Sequence, residues 1–322
     1  GAYMQCWNSG PYCSTQADRA DALRVATHLN VPFRVLNFEK EYRETVLNYF
    51  FSEYERGRTP NPDVACNREI KFGIFLAKAL ELGFDFVATG HYARVEYDQS
   101  LEQFKLLAAT DPLKDQSYFL YTLGQEQLRH TLFPLGSYLK KEVREIASSL
   151  DLPNANKKDS QGICFIGAVN VGEFLRQNLK TRLGDIVNAE GRLLGKHDGL
   201  AFYTIGQREG LKINSTIPHY VVGKRRERNE LVAAPLGSKE LFARLVGLSK
   251  PFWVGEAPSL PLICHVSLRY RQKPQEGKIL SSRGGLLLQL NDPEKGISEG
   301  QAAVFYQGQV LVGGATIENT WQ

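Results

Sequence analysis

The chain has 322 residues, 43% of them hydrophobic, with 39 Lys and Arg against 35 Asp and Glu and a formal net charge of +4. That length accommodates two or three domains of about 100–200 residues each, and the near-balance of charge excludes a global basic field, so a polyanion would have to meet local patches. No run approaches the roughly 18 consecutive apolar residues of a membrane span, none has the layout of a signal peptide, and Cys6, Cys13, Cys66, Cys164 and Cys264 lack the regular spacing of a secreted disulfide framework. A reducing, cytoplasmic compartment is expected, with a removed organellar targeting peptide left open.

The chain opens GAYMQCWNSG, without an initiator methionine and with Met4 as its single methionine. GAYM reads as the end of a buried strand, so a segment upstream of Gly1 is expected. Residues 17–29 carry Ala22, Val25, Ala26 and Leu29 at helical spacing, and VPFRVLNF follows as a strand. A second helix spans 41–56, GRTPNPD breaks it with two prolines, and NREIKFGIFLAKALEL resumes with Ile70, Phe72, Phe75, Leu76, Ala79 and Leu80 on one face. FDFVATGHY then reads as a short apolar strand ending at Gly90 and His91. Alternating helices and strands imply an open, mostly parallel α/β sheet, whose ligands sit beyond the carboxyl ends of the strands. Residues 115–150 read as helical, with Leu139, Val143, Ile146, Ala147 and Leu150 along one face. After about 180 the texture turns to short, Gly-punctuated strands, predicting one or two small β-barrel-like domains with a break near 240.

Two cysteines stand out. Cys66 follows Pro60, Pro62 and Asp63 at the start of a helix, whose positive end favours thiolate. Core packing is the plain alternative, because free cysteine behaves as a small hydrophobe. Cys164, in NKKDSQGICFIG, follows a polar, lysine-bearing loop that would leave its thiol near solvent and positive charge. A zinc site is not expected, since there is no CxxC pair and the histidines are not in ligand spacing.

In chain order, GRTPNPDVACNREIKFG, ATGHYAR, KDQSYFL, KKDSQGICFIG, HDGLAFYTIGQREGL, RYRQ and GQAAVFY resemble the strings of the tRNA-specific 2-thiouridylases, which put sulfur on the wobble uridine. The resemblance runs from Met4 to the C-terminus. It implies a Rossmann-like, adenine nucleotide alpha hydrolase-like α/β domain of the ATP pyrophosphatase type over residues 1–175, including a tRNA-binding helical segment at about 115–150. A small β domain (176–240) and a C-terminal β-barrel domain (241–322) complete the implied organisation.

Carried over residue by residue, Cys66 resembles the nucleophile and Cys164 the cysteine that bears a persulfide, with Asp63 a proton-transfer partner. Asn61, Pro62 and Asp63 match the segment that meets the target base, and Met4 and Gly90 match positions lining the adenosine site. His91, Lys114, Asp115, Gln116, Arg269, Tyr270 and Gln301 match tRNA-contacting positions. The implied reaction adenylates C2 of uridine 34 with ATP, Mg2+ being expected with it, and then transfers sulfur; no protein-bound metal is expected. The implied partners are tRNAs for lysine, glutamate and glutamine and a sulfur-donor or relay protein; a monomer is expected, without a membrane.

One departure matters. The family's Ser-Gly-Gly-x-Asp-Ser turn occurs nowhere in the sequence and would belong upstream of Gly1. Such turns bind phosphates through free backbone N–H groups, so this chain alone is expected not to turn ATP over. A tRNA-binding protein without catalysis is therefore the second reading. Another adenylating enzyme of the same superfamily is the third, and the paired cysteines weigh against it, because amide formation needs no persulfide.

Overall fold

The first strand, β1 (Ala2–Gln5), pairs in parallel with β2 (Arg34–Asn37), Met4 opposite Leu36, and α1 (Thr15–His28) between them supplies the long crossover that parallel pairing requires. The computed structural model describes residues 1–8, 15–157, 162, 164–167 and 170–322. Cys13 and most of the lysine-bearing loop before Cys164, residues 158–161 and 163, lie outside the described residues. The expectation of a buried first strand is corrected: Ala2 is exposed and the next three residues are half-buried, with β2 as the only ladder partner among the described residues.

Two long helices build the catalytic-side core. α2 (Glu39–Tyr42), a π-helical stretch Arg43–Leu47 and α3 (Asn48–Glu55) run on as one helix. The second starts earlier than the sequence predicts, within the stretch that reads as a break: Asn61 Oδ1 accepts the Val64 N–H at 3.3 Å, and Pro62 occupies the first helical position. It continues through α4 (Pro62–Cys66), a π-helical stretch Asn67–Ile74 and α5 (Phe75–Glu81). Tyr42, Val46, Phe50, Cys66, Ile70 and Ile166 close one core between these helices.

FDFVATGHY forms only β3 (Val87–Ala88), and Phe84 and Phe86 remain 55% and 53% exposed. A hairpin of β4 (Ala93–Asp98) and β5 (Gln103–Ala108) follows, then a 3-10 turn at Ser117–Leu120, α6 (Gln125–Arg129) and β6 (Thr131–Leu132), which returns to pair in parallel with β3. The helical reading of 115–150 is thus corrected to that turn, α6 and α7 (Lys140–Ser149). Side-chain bonds compete with helix here: Asp115 Oδ1 accepts the N–H groups of Ala109 and Ser117, and Gln116 Oε1 accepts that of Tyr92. The apolar stripe of α7 is not buried, with Ile146 and Leu150 at 44% and 51% exposure.

α8 (Val171–Asn178), capped by Asn170, seats Phe174 and Leu175 in the helical core. Next come β7 (Gly184–Val187), β8 (Leu193–His197), β9 (His219–Arg225) and β10 (Glu230–Pro235), a four-stranded sheet ordered β8-β7-β10-β9 around Ile186, Val221 and Leu231. The last strands are β11 (Phe242–Leu248), β12 (Phe252–Trp253), β13 (Leu262–Ser267), β14 (Gln275–Ser282), β15 (Gly285–Lys295), β16 (Ala302–Gln307) and β17 (Val310–Trp321). β11 pairs with both β15 and β17, which closes a barrel. The β4–β5 hairpin joins the same sheet through β5, Leu107 opposite Val310.

The chain therefore combines a Rossmann-like domain of parallel strands and helices with two β domains. Among the described residues the parallel sheet consists of two separate pairs, β1–β2 and β3–β6, and both border one cleft.

Candidate active site

The cleft is a cavity of about 810 Å³ between β1 on one side and the segment after β3 on the other. Met4, Asp63, Gly90, His91, Gln116 and Cys164 all line it. Cys66 meets Cys164 at its edge, the Cys66 thiol donating to the Cys164 sulfur at an Sγ–Sγ distance of 3.6 Å. Both are free thiols. A disulfide needs about 2.05 Å, so a small approach of the two side chains would bring them to bonding distance, with a persulfide or other oxidant to take the two electrons.

The geometry is held from several sides. Asp63, one helical turn before Cys66, accepts the Cys164 N–H on Oδ1 at 3.2 Å. Tyr42 Oη donates to the Cys164 carbonyl at 2.7 Å. Phe165 adopts a left-handed φ of 64° and packs edge-on against Tyr42. A non-glycine residue in that region costs roughly 1–3 kcal/mol and persists only when its surroundings hold it; here the turn brings Cys164 back toward α4.

The two sulfurs are not equivalent. The hydrogen bond from Cys66 lowers the Cys164 thiol pKa to about 7, against the penalty of burial and with help from the Lys71 ammonium. Burial pushes Cys66 well above the ordinary thiol value, and the neighbouring Cys164 adds to that. This corrects the expectation that the helix N-terminus makes Cys66 the thiolate. Cys66 is the fifth residue of its helix and has no solvent exposure, while the terminal field fades within the first turn. The first proton lost by the pair therefore leaves Cys164, whose sulfur accepts a hydrogen bond from the Cys66 thiol. Burial also raises the Asp63 carboxyl, partly opposed by Lys71, which brings it nearer to a proton acceptor's range.

Residues expected to meet tRNA divide into two groups. His91 and Gln116 line the cavity, and His91 is only 9% exposed with both ring nitrogens engaged, Nδ1 with Thr89 Oγ1 at 2.7 Å and Nε2 with Lys71 Nζ at 3.4 Å. Tyr270 reaches the cleft indirectly by stacking on Phe119, ring centroids 4.4 Å apart. Lys114 and Arg269 lie outside the cavity lining, and Arg269 pairs with Glu294 at 2.7 Å. Gln301 braces the active-site loop: its Nε2 donates to the carbonyls of Thr59 and Pro60 at 2.9 and 3.1 Å.

Sequence reasoning missed Lys71, Tyr42 and Cys6. Lys71 follows Cys66 by five positions, which an α-helix places away from the shared face; the i→i+5 turn of the π-helical stretch brings both to the same site. Cys6 packs in the same core, and burial raises its thiol pKa, as expected for an inert structural cysteine. Cys264 lies in the barrel core, its thiol pushed up to about 12 by burial. Cys264→Ser is expected to leave thiol chemistry at Cys164 unchanged, measured as Cys164 alkylation rate; a changed rate would mean that the barrel core reports on the site.

The adenosine end of a nucleotide fits the cleft. Its volume lies in the range of about 300–1,000 Å³ usual for small-molecule sites, and at Gly90 a Cβ would meet only Leu135 at 3.8 Å, leaving the backbone open to a flat ring. Among the described residues lining it no glycine-rich turn offers a phosphate cradle. Lys157, also at the rim, is held by Asp18 and Asp21 at 2.7 and 2.6 Å.

Three family models match in succession: a tRNA methyl transferase HUP domain over residues 1–168, a tRNA methyl transferase PRC-barrel domain over 172–235 and an aminomethyltransferase beta-barrel domain over 244–317. The chain is 44% identical over 328 residues to the tRNA-specific 2-thiouridylase MnmA of Alkaliphilus oremlandii, covering 99% of this chain and 89% of that protein. It is 44% identical to the protein of the same name from Listeria monocytogenes, covering 100% and 88%. The one from Vesicomyosocius okutanii is 42% identical, with 98% and 89% covered.

Proposed function

The chain belongs to the family of tRNA-specific 2-thiouridylases, and from that premise we propose that it replaces the C2 oxygen of the wobble uridine by sulfur carried on Cys164. The observation that carries this reading is the 3.6 Å approach of the Cys66 and Cys164 sulfurs beside Asp63. The methyl-transferase wording of the matching models is less apt, because methyl transfer calls for no second thiol.

Sulfur enters first. The Cys164 thiolate attacks the outer sulfur of a donor persulfide; that S–S bond breaks, the donor leaves as a thiolate, and Cys164 carries the persulfide. ATP, with adenosine against Met4 and Gly90, supplies the activation that makes the uridine C2 oxygen a leaving group. The flipped base enters beside Asn61, Pro62 and Asp63, since a base must leave its stack to be reached. The persulfide's terminal sulfur then bonds to C2 as the activated oxygen departs. Cys66, surrendering its proton toward Asp63, attacks the Cys164 sulfur, and the S–S electrons leave on the sulfur now attached to C2. A Cys66–Cys164 disulfide remains for an external thiol to reduce. Cleavage of the persulfide by Cys66 before transfer, releasing sulfide as nucleophile, uses the same two thiols in the other order.

The test is 2-thiouridine formation in tRNA with ATP and a persulfide donor, on residues 1–322 and on the same chain preceded by a phosphate-binding loop. Thiolation by the extended protein supports the reading; tRNA binding without thiolation in either would return the chain to a non-catalytic tRNA binder.

The tRNA surface has its own expectation. Arg269→Ala and Lys114→Ala should each weaken tRNA binding and lower the slope of log affinity against log salt by about one, with the fold retained by circular dichroism. Unchanged affinity and slope in both variants would remove these residues from the interface.

A further inference from the structure

We propose that Lys71 is a catalytic residue of sulfur acceptance, its ammonium facing the Cys164 sulfur within the cleft, and that His91 is the positioning residue that aims it. The proposal rests on the thiouridylase reading of this site and adds two residues to it.

Lys71 is half-buried and lines the same cavity as Cys164 and Asp63, its ammonium 3.4 Å from His91 Nε2 and 5.8 Å from the ring of Phe165, the residue next to Cys164. An ammonium drawn partly out of water needs negative charge nearby, so the groups that face it define its purpose. Burial alone would lower its pKa, yet Cys164, Cys66 and Asp63 together lift it above the ordinary lysine value. The ammonium is therefore kept, and what it balances is negative charge on sulfur.

The charged and titratable groups facing Cys164 come from four directions: Cys66 and Asp63 from α4, Lys71 from the π-helical stretch after it, Tyr42 from α2 and Cys6 just past β1. Among these described groups Lys71 is the cation; Asp63 opposes a thiolate on Cys164, and charge on Cys164 in turn helps keep Tyr42 and Cys6 protonated. His91 stands behind Lys71. Burial, then the ammonium itself, holds its imidazole neutral. A neutral ring next to an ammonium must offer its bare Nε2 to Lys71, and Nδ1–H then donates to Thr89. Thr89 fixes His91, His91 fixes Lys71, and Lys71 fixes the charge on Cys164. The Phe165 ring, 5.8 Å from the Lys71 nitrogen, flanks the same ammonium.

The step served is the first one. Attack of Cys164 on the donor's outer sulfur passes one negative charge from Cys164 to the departing donor thiolate, and Lys71 is present at the start and for the persulfide anion that follows. It also bears on the last step. When the Cys66–Cys164 disulfide forms, the ammonium loses its anionic partner, which favours the reduced pair and so eases reduction by an external thiol.

The test uses the full chain and peptide-resolved alkylation of Cys164 by iodoacetamide across pH, without ATP or tRNA. Wild type should label half-maximally near pH 7, following the Cys164 value of about 7. Lys71→Met should move that midpoint up by at least about one unit, so labelling at neutral pH falls about fivefold or more; Lys71→Arg should restore most of it. His91→Gln should give a smaller upward shift. At equilibrium with a dithiol, Lys71→Met should also hold more Cys66–Cys164 disulfide than wild type. A folded Lys71→Met with an unchanged midpoint overturns the proposal. Should the neutral variant not fold, a wild-type midpoint at or above the ordinary thiol value of 9.0 overturns it as well. Loss of thiolation in wild type would sink the functional reading alone, because this labelling needs no tRNA.

Discussion

Cys164→Ser is expected to lower 2-thiouridine formation by at least about a thousandfold, since a hydroxyl cannot form the S–S bond on which transfer depends. tRNA affinity should not change, because the side chain lies in the cleft and contributes no charge to a phosphate. Cys66→Ser should separate two steps: Cys164 still takes up sulfur from a donor, seen as a persulfide adduct by mass spectrometry, but multiple turnover fails. The same substitution weakens the hydrogen bond that most lowers the Cys164 pKa, so uptake should require higher pH. The direction follows from the acid: with its pKa raised, less thiolate is present at neutral pH, and the rate recovers as pH climbs. Full thiolation by Cys164→Ser would overturn the persulfide assignment outright.

Gly300→Val should damage both stability and activity although Gly300 lies outside the cleft. Gly300 has φ +89°, and a Cβ there would lie 2.8 Å from the Thr59 carbonyl oxygen and 3.0 Å from its carbon. Both are backbone atoms of the loop that Gln301 grips and that leads into Asn61, Pro62 and Asp63. Left-handed strain and overpacking together cost about 2–5 kcal/mol, and the loop must shift to relieve them. The expected result is a lower melting temperature together with lost thiolation. Gly308→Ala is the control: φ is +59° but nothing lies within 4 Å of the added Cβ, so only backbone strain of about 1–2 kcal/mol applies. Equal melting temperatures and activities for Gly300→Val and wild type would show that the barrel does not brace the loop.

Much of this was legible in the residues. The apolar spacing from Ile70 to Leu80 announces a helix by local rules alone, and the helix is there, although it begins at Pro62 within the stretch that reads as a break. The pairing of Cys66 with Cys164 was legible only through resemblance, since nothing local in either string joins positions 98 apart. What failed was settled by distant neighbours. The Cys66 thiol was read from its place near a helix end, but its state is decided by burial against Tyr42, Ile70 and Ile166. Phe84 and Phe86 look like core and stay exposed, because periodicity reports composition and not which neighbour arrives. Nothing in NREIKF marks Lys71 out, and it is the π-helical turn that carries it into the cleft with Cys164.

The pairing of β5 with β17 has a consequence for how the molecule is made. Every side chain assigned to sulfur chemistry emerges from the ribosome before β7, yet the hairpin that follows His91 cannot complete its ladder until Val310 and Leu311 arrive to meet Leu107 and Leu106. Until then the outer edge of β5 is an open template for wrong pairing, and non-local strand closure is slow. The last strand also seals the barrel against β11 and carries the sheet that places Gln301 on the active-site loop. A nascent chain stopped short of β17 would hold all its reactive cysteines in an unfinished scaffold, so reactivity and completion of the chain are tied together by the order in which the strands appear.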